Sequence, residues 1–191
     1  MLVGGRGQVF GKDGTLEGPF EGAHYTAFLG ISSGSYQAAT PRARRHVVFV
    51  DRRYYVLLDE VAPSAPAVIE LRFHSYGTVT PWPQRTGWTV NQSGSQLDIV
   101  PAGLSLVRGA VESPPGWIRP VNLLRLATPQ PVATLTLATA IIPRTGAALY
   151  PEVSQEVRGN ELLVHVAGDQ IVFRQMPDGY VISGATIVLR P

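Results

Sequence analysis

The residues with the most chemical potential lie close together in Arg44–Glu60, RRHVVFVDRRYYVLLDE. Two pairs of arginines, one histidine and three carboxylates are set among residues that otherwise suit a buried strand. Such a set can serve in three ways: as a hairpin with a wet face, as a catalytic or metal site, or as a grip on an anionic partner. Five arginines fall between Arg42 and Arg53, and of the chain's 16 basic residues only Lys12 is lysine. Guanidinium forks match carboxylates and sulfates better than ammonium groups do, so Arg44, Arg45, Arg52 and Arg53 are candidate contacts to an anionic ligand. The remaining basic residues are scattered, which disfavours a nucleic-acid footprint.

His46 is the most informative single residue. In a regular strand Arg44, His46, Val48 and Val50 share one face, and Arg45, Val47, Phe49 and Asp51 share the other. A half-exposed edge histidine or a buried one with its hydrogen bonds met is the simpler reading; metal ligation or substrate contact is the sharper one. Tyr36, in GSYQAATPRARR, reads as a strand tyrosine with a packed ring and a wet hydroxyl. Asp59 and Glu60 read as the end of a strand, pairing with the turn or with an arginine. His74 and His165 sit in apolar runs. Trp82, Trp88 and Trp117 lie near loops, where a ring either roots the loop or stacks on a sugar.

Motif scanning excludes several mechanisms. Gly5, Gly7 and Gly11 miss the dinucleotide-binding spacing, and no P-loop, HExxH or GxSxG occurs. The absence of cysteine removes disulfides, thiolate zinc sites and a cysteine nucleophile. The four histidines are far apart, so any metal site must assemble from separate strands.

The elements that position these residues are strands. No long stretch carries apolar residues at helical spacing, and 20 glycines and 16 prolines interrupt the chain every few residues. Between them run short β-branched segments: AHYTAFLGI, AVIELRFHSY, GWTVNQ, QLDIVPA, LSLVRGAV, VNLLRLAT, VATLTLATAII, ELLVHVAG, DQIVFRQM and GYVISGATIVL. RHVVFVD and RYYVLLDEV flank a tight turn at Asp51–Arg53 and form the strongest hairpin signal. A dozen or more such strands indicate an antiparallel sandwich or barrel. The Pro-rich segments Thr80–Gly87 and Glu112–Trp117 read as surface loops, so residues 1–191 are expected to form one domain. Apolar residues make up 45% and charged residues 16%, the balance of a globular chain. No apolar run reaches membrane-spanning length, so no membrane partner is expected. MLVGGRGQ shows neither a basic n-region nor an apolar h-region.

Taken in order, LVGGRGQ, SYQAATPRARRHVVFVDRRYYVLLDEV, IELRFHSYGTVTP and VATLTLATAIIPRTG resemble the C-terminal β-sandwich domain of heparinase II/III-like polysaccharide lyases. The resemblance covers nearly the whole chain. It implies an all-β antiparallel sandwich and an anionic, uronic-acid-containing polysaccharide as substrate, cleaved by β-elimination beside an (α/α) toroid domain. Elimination needs a group that neutralises the uronate carboxylate, a base for the C5 proton and an acid for the leaving oxygen. Tyr36 matches the tyrosine that reaches the cleft in some members. His46 lies where some members place a metal-ligating histidine. Asp13, in GKDG, is the accompanying acid, so a zinc or calcium ion is implied, held weakly for want of a third ligand. The pattern departs from the family at Gly4, where the family has an acid. A His-Asn-(Thr/Ser) segment would fall before Met1, and the toroid is absent from the sequence. The resemblance thus implies a lyase fragment or a sandwich that has lost its catalytic half. It also implies a periplasmic or secreted bacterial origin in the lyase case, and an exposed apolar face that docks the toroid or a second copy.

Overall fold

The computed structural model describes residues 1–36, 39–83, 85–103, 108–112, 121–144, 150–182 and 187. Trp117, most of the Glu112–Trp117 loop and part of two expected strands lie outside these residues. The described residues form sixteen strands: β1 Leu2–Val3, β2 Thr15–Gly22, β3 Tyr25–Ile31, β4 Arg42–Val50, β5 Tyr54–Ala62, β6 Ile69–Ser75, β7 Thr78–Pro81 and β8 Trp88–Gln92, followed by β9 Ser95–Pro101, β10 Arg108–Glu112, β11 Asn122–Ala127, β12 Leu135–Arg144, β13 Val153–Arg158, β14 Glu161–Val166, β15 Asp169–Met176 and β16 Gly179–Val181. The expected all-β antiparallel sandwich is what forms.

Its backbone is an eight-stranded sheet in the order β2-β3-β4-β5-β12-β9-β8-β7. A first four-stranded sheet, β1-β6-β11-β10, covers part of one face, and a second, β13-β14-β15-β16, covers part of the other. Residue parity along the central strands shows this arrangement. Ala43, Val61 and Leu137 join Ile69, Leu71 and Leu124 of the first small sheet in one core. Val48, Leu58 and Ala138 join Leu162, Ile171 and Phe173 of the second in another. β5 supplies both cores, so its sequence is apolar almost throughout, unlike a strand with one wet face. Removing the fully buried Leu58, Leu71, Leu124 and Leu162 from water contributes about 2 kcal/mol each.

The β4–β5 hairpin has the expected turn. Asp51 and Arg52 adopt φ 45° and 56°, the left-handed pair whose twist matches that of the strands it joins. The Arg53 N–H donates to the Val50 carbonyl at 2.8 Å. The turn is tied to the second small sheet: Arg53 donates to Asp169 Oδ2 at 2.6 Å and the Tyr54 hydroxyl to the same oxygen at 2.8 Å. Burial first, and the Asp169 hydrogen bond second, hold the Tyr54 phenol well above its ordinary range, so it stays protonated.

Four strands lacked a sequence signal: β1, β2, β7 and β13. Each is the edge of its sheet. β2 is exposed at every position, so its sequence, TLEGPFEG, carries no apolar alternation.

A side chain meets β12 just beyond its pairing with β9. Gln155 of β13 accepts from the Ala138 N–H at 2.7 Å and donates to the Thr136 carbonyl at 2.9 Å. Gln155→Ala leaves both backbone groups without these partners and is expected to lower stability by about 1–3 kcal/mol. Urea denaturation should show this as a lower midpoint at unchanged slope.

Candidate functional site

The hairpin register sets Arg45 opposite Asp59 and Arg44 opposite Glu60. Neighbouring residues point to opposite faces, so these two charge pairs lie on opposite sides of the central sheet.

The Arg45 side holds a cavity of about 280 Å3 lined by Tyr36, Arg45, Asp59, Ser32, Thr15 and Met1, among others. Arg45 meets Asp59 as a fork, Nε to Oδ1 at 2.8 Å and Nη2 to Oδ2 at 3.0 Å. The guanidinium also lies over the Phe73 ring, 5.8 Å from its centre. Asp59 is buried and Arg45 about one-third exposed, so the fork presents one side to the cavity. Tyr36 is buried beside it, its backbone bridged to Gln8. Burial pushes the Tyr36 phenol up, against the opposing pull of its Ser32 hydrogen bond and the Arg45 charge. Tyr36 is a neutral phenol in the pocket wall, able to donate a hydrogen bond. None of the four histidines is among the lining residues.

On the other side the second small sheet covers Glu60 and His46, while Arg44, half-buried, also borders the Tyr36 cavity. Arg44 donates through Nη1 to the Asp178 carbonyl, and the Glu60 carboxylate accepts the Tyr180 N–H at 2.9 Å. Between them Gly179, at φ 131°, leaves no room for a Cβ. His46 is 2% exposed, with Nε2 3.4 Å from Glu60 Oε1 and its ring edge-on to Phe173 at 5.6 Å. Among the described residues neither ring nitrogen has a hydrogen-bond partner of good geometry. Asp13 stands elsewhere: it is exposed, and its backbone carbonyl accepts from Ser35. The structure thus pairs His46 with Glu60 and not with Asp13. Two protein donors fall short of the three or four usual for zinc, and no group of three His, Cys, Asp or Glu converges among the described residues.

The remaining candidates fall outside both places. Arg53 is spent on Asp169 and Asp51. Arg52 is exposed and borders a separate cleft with His24, Glu21 and Asp51. His165 lies 3.4 Å from Glu156 on the second small sheet. Sequence reasoning left Ser32 and the Glu70 cluster unassigned. On the outer face of the first small sheet Glu70 pairs with Arg72 and Arg125, and Arg125 also with Glu112.

No family model matches the sequence, and no curated protein matches it. Solved structures share its fold. A heparinase III gene product matches 84% of this chain over 27% of its own, at 18% identity and a TM-score of 0.64. Heparan sulfate lyase HepC from Pedobacter heparinus matches 88% over 28% of its chain, at 13% identity and 0.64. A heparinase III crystal structure matches 83% over 26%, at 18% identity and 0.61. This chain therefore spans about a quarter of the length of the lyases it resembles. At these identities the likeness establishes a shared fold, and it leads to the same proteins as the sequence motifs.

Two expectations test the electrostatics. Arg45→Ala strands the buried Asp59 carboxylate and should destabilise the chain by about 3 kcal/mol, with Arg45→Ala/Asp59→Ala recovering part of the loss in the same denaturation series. Burial alone would raise the Glu70 carboxyl, but its hydrogen bonds from Arg125 and Arg72 outweigh this and hold it below the usual carboxylate range. A depressed carboxyl stabilises the fold above its unfolded value, and this is lost as pH falls through the folded one. Glu70→Gln should therefore flatten the acid limb of a plot of stability against pH.

Proposed function

We propose that this chain is the β-sandwich part of a polysaccharide lyase that cleaves a uronic-acid-containing polysaccharide by β-elimination, and that it is inactive by itself. The observation that carries this reading is the fold shared with heparan sulfate lyases over 84–88% of this chain and only 27–28% of theirs. In the elimination a base takes the C5 proton, the freed electron pair forms the C4–C5 double bond, and the bond to the leaving oxygen breaks as an acid protonates it. The pocket offers a candidate acid in Tyr36, a neutral phenol in its lining. It offers no histidine base, and its guanidinium is already matched by Asp59. The base and the carboxylate-neutralising group then belong to the rest of the lyase.

A place for that remainder is available. The first small sheet leaves part of its face of the central sheet uncovered, and Phe49 and Tyr55 stack there at 4.5 Å with Tyr55 39% exposed. Val47 lies on the same face, next along β4 towards the Tyr36 pocket. A domain packed on this patch would close over Tyr36 and exclude water from it. Of the four candidate arginines Arg52 has no carboxylate or carbonyl partner among the described residues, which leaves it for an acidic polysaccharide.

The missing base also favours a second reading, a non-catalytic glycan-binding or structural module. An ultraviolet absorbance assay for the unsaturated uronate product separates the two when run on heparan sulfate, alginate, hyaluronan and pectate. This chain is expected to give no product. Supplied with the remainder of the lyase it should give product, and Tyr36→Phe should lower that rate by about 100-fold or more, the scale of general acid catalysis. Product from this chain by itself would show a complete base and acid within the sandwich and overturn the half-enzyme reading. Glycan binding without product even in the completed protein would leave the recognition module.

A further inference from the structure

Trp82 and Trp88, two of the tryptophans singled out in the sequence, border one cleft at the opposite end of the central sheet, where β8 lies four strands from β4, or roughly 19 Å at the usual strand spacing. This cleft, of about 350 Å3, is bounded by Pro81, Trp82, Pro83, Arg85, Trp88 and Gly109, among others. Trp82 and Trp88 are 7% and 3% exposed, so they are walls rather than free platforms. Pro81 and Pro83 are exposed. At Gly87 and Gly109 a Cβ would run into the Trp82 and Trp88 rings respectively, so the backbone there approaches the indoles directly.

Arg85 is the charged residue among those described that line this cleft, and it is held before any ligand arrives. Its guanidinium lies over the Trp82 ring, 5.0 Å from the centre. Its Nη2 donates to the carbonyls of Tyr150 and Pro151 at 2.6 and 2.9 Å. Trp82 is itself fixed: its Nε1–H donates to Thr89 Oγ1 at 3.0 Å, Thr89 donates to Asp98 at 2.7 Å, and Arg144 donates to Asp98 at 3.0 Å. A guanidinium carries five N–H donors. The two carbonyls occupy only Nη2, and no carboxylate of the described residues lies within ion-pair distance of Arg85. A cation ordered by the fold, with Nε and Nη1 unpartnered among the described residues and a cleft walled by prolines and indoles beside it, is pre-organised for an anion attached to a compact ring.

We infer that this cleft is a binding subsite for an acidic sugar unit, separate from the Tyr36 pocket. The carboxylate or sulfate takes the free edge of Arg85, and the C–H face of the ring packs on the prolines and the indole edges. The class of ligand rests on the proposed function; the existence of an anion subsite at Arg85 does not.

The test follows the assigned indole N–H signals of Trp82 and Trp88 by NMR while the whole chain is titrated with oligosaccharides. A heparin fragment, an alginate fragment and neutral dextran form the three arms. Both indole signals are expected to shift with an acidic oligosaccharide and not with dextran, and comparison of heparin with alginate tells sulfate from carboxylate. Arg85→Gln should weaken that binding by at least about tenfold, the factor given by about 1.4 kcal/mol. Arg85→Lys, which keeps the charge and loses the fork, should fall between. Indole signals that stay fixed in the unaltered chain would overturn the inference, and they do so even if glycan binds at the Tyr36 pocket. Equal shifts with dextran, or full affinity in folded Arg85→Gln, would overturn it as well. Shifts without any lyase activity in the completed protein would uphold the subsite and remove the lyase reading.

Discussion

The architecture rests on one strand buried on both sides. β5 runs through the middle of the eight-stranded sheet with a four-stranded sheet against each face, and within it Asp59 and Glu60 are 3% and 2% exposed. A buried carboxylate is costly unless it is paired and hydrogen-bonded. Being adjacent, the two acids need separate partners on opposite faces, and each partner ties a further layer to the sheet. Asp59 takes the fork of Arg45 and so orders the wall of the Tyr36 pocket. Glu60 takes the Tyr180 N–H and brings Gly179 of the second small sheet against Arg44.

The same constraint decides which charges are matched within the fold. Most of the arginine-rich segment is consumed internally: Arg45 by Asp59, Arg53 by Asp169, Arg44 by the Asp178 carbonyl. Arg52, exposed on the left-handed turn, and Arg85, braced on Trp82, are not neutralised by any carboxylate of the described residues. Guanidinium groups that are matched by a buried acid and guanidinium groups that are not are one residue type in sequence. They are told apart by whether a buried acid lies opposite. The pocket likewise holds a buried phenol, Tyr36, and no histidine among its lining residues.

Much of this was legible from particular residues. The β-branched runs on either side of Asp51–Arg53 announced the hairpin, and once its turn is fixed the register follows, placing Arg45 against Asp59. The shared face of Arg44, His46, Val48 and Val50 also came from parity. What escaped were the edge strands β1, β2, β7 and β13. An edge strand is held by backbone pairing on one side and can be exposed on both faces, so TLEGPFEG needs no apolar alternation to be a strand. His46 shows the complementary limit. Parity gave its face, while its partner, Glu60 rather than Asp13, depended on which strand lay beside it and which sheet closed over it.

The sequence by itself determined the class of fold, the central hairpin and the supply of arginines, acids and tryptophans, because turn chemistry, residue alternation and composition are local properties. The tertiary structure decided which charges neutralise one another, where the Tyr36 pocket opens, and that Trp82 and Arg85 form one braced unit beside a cleft. These depend on contacts between segments far apart in the chain, such as Arg85 with Tyr150 and Pro151 or Tyr54 with Asp169. Such contacts are set by sheet order and layer packing, which no short stretch of sequence encodes.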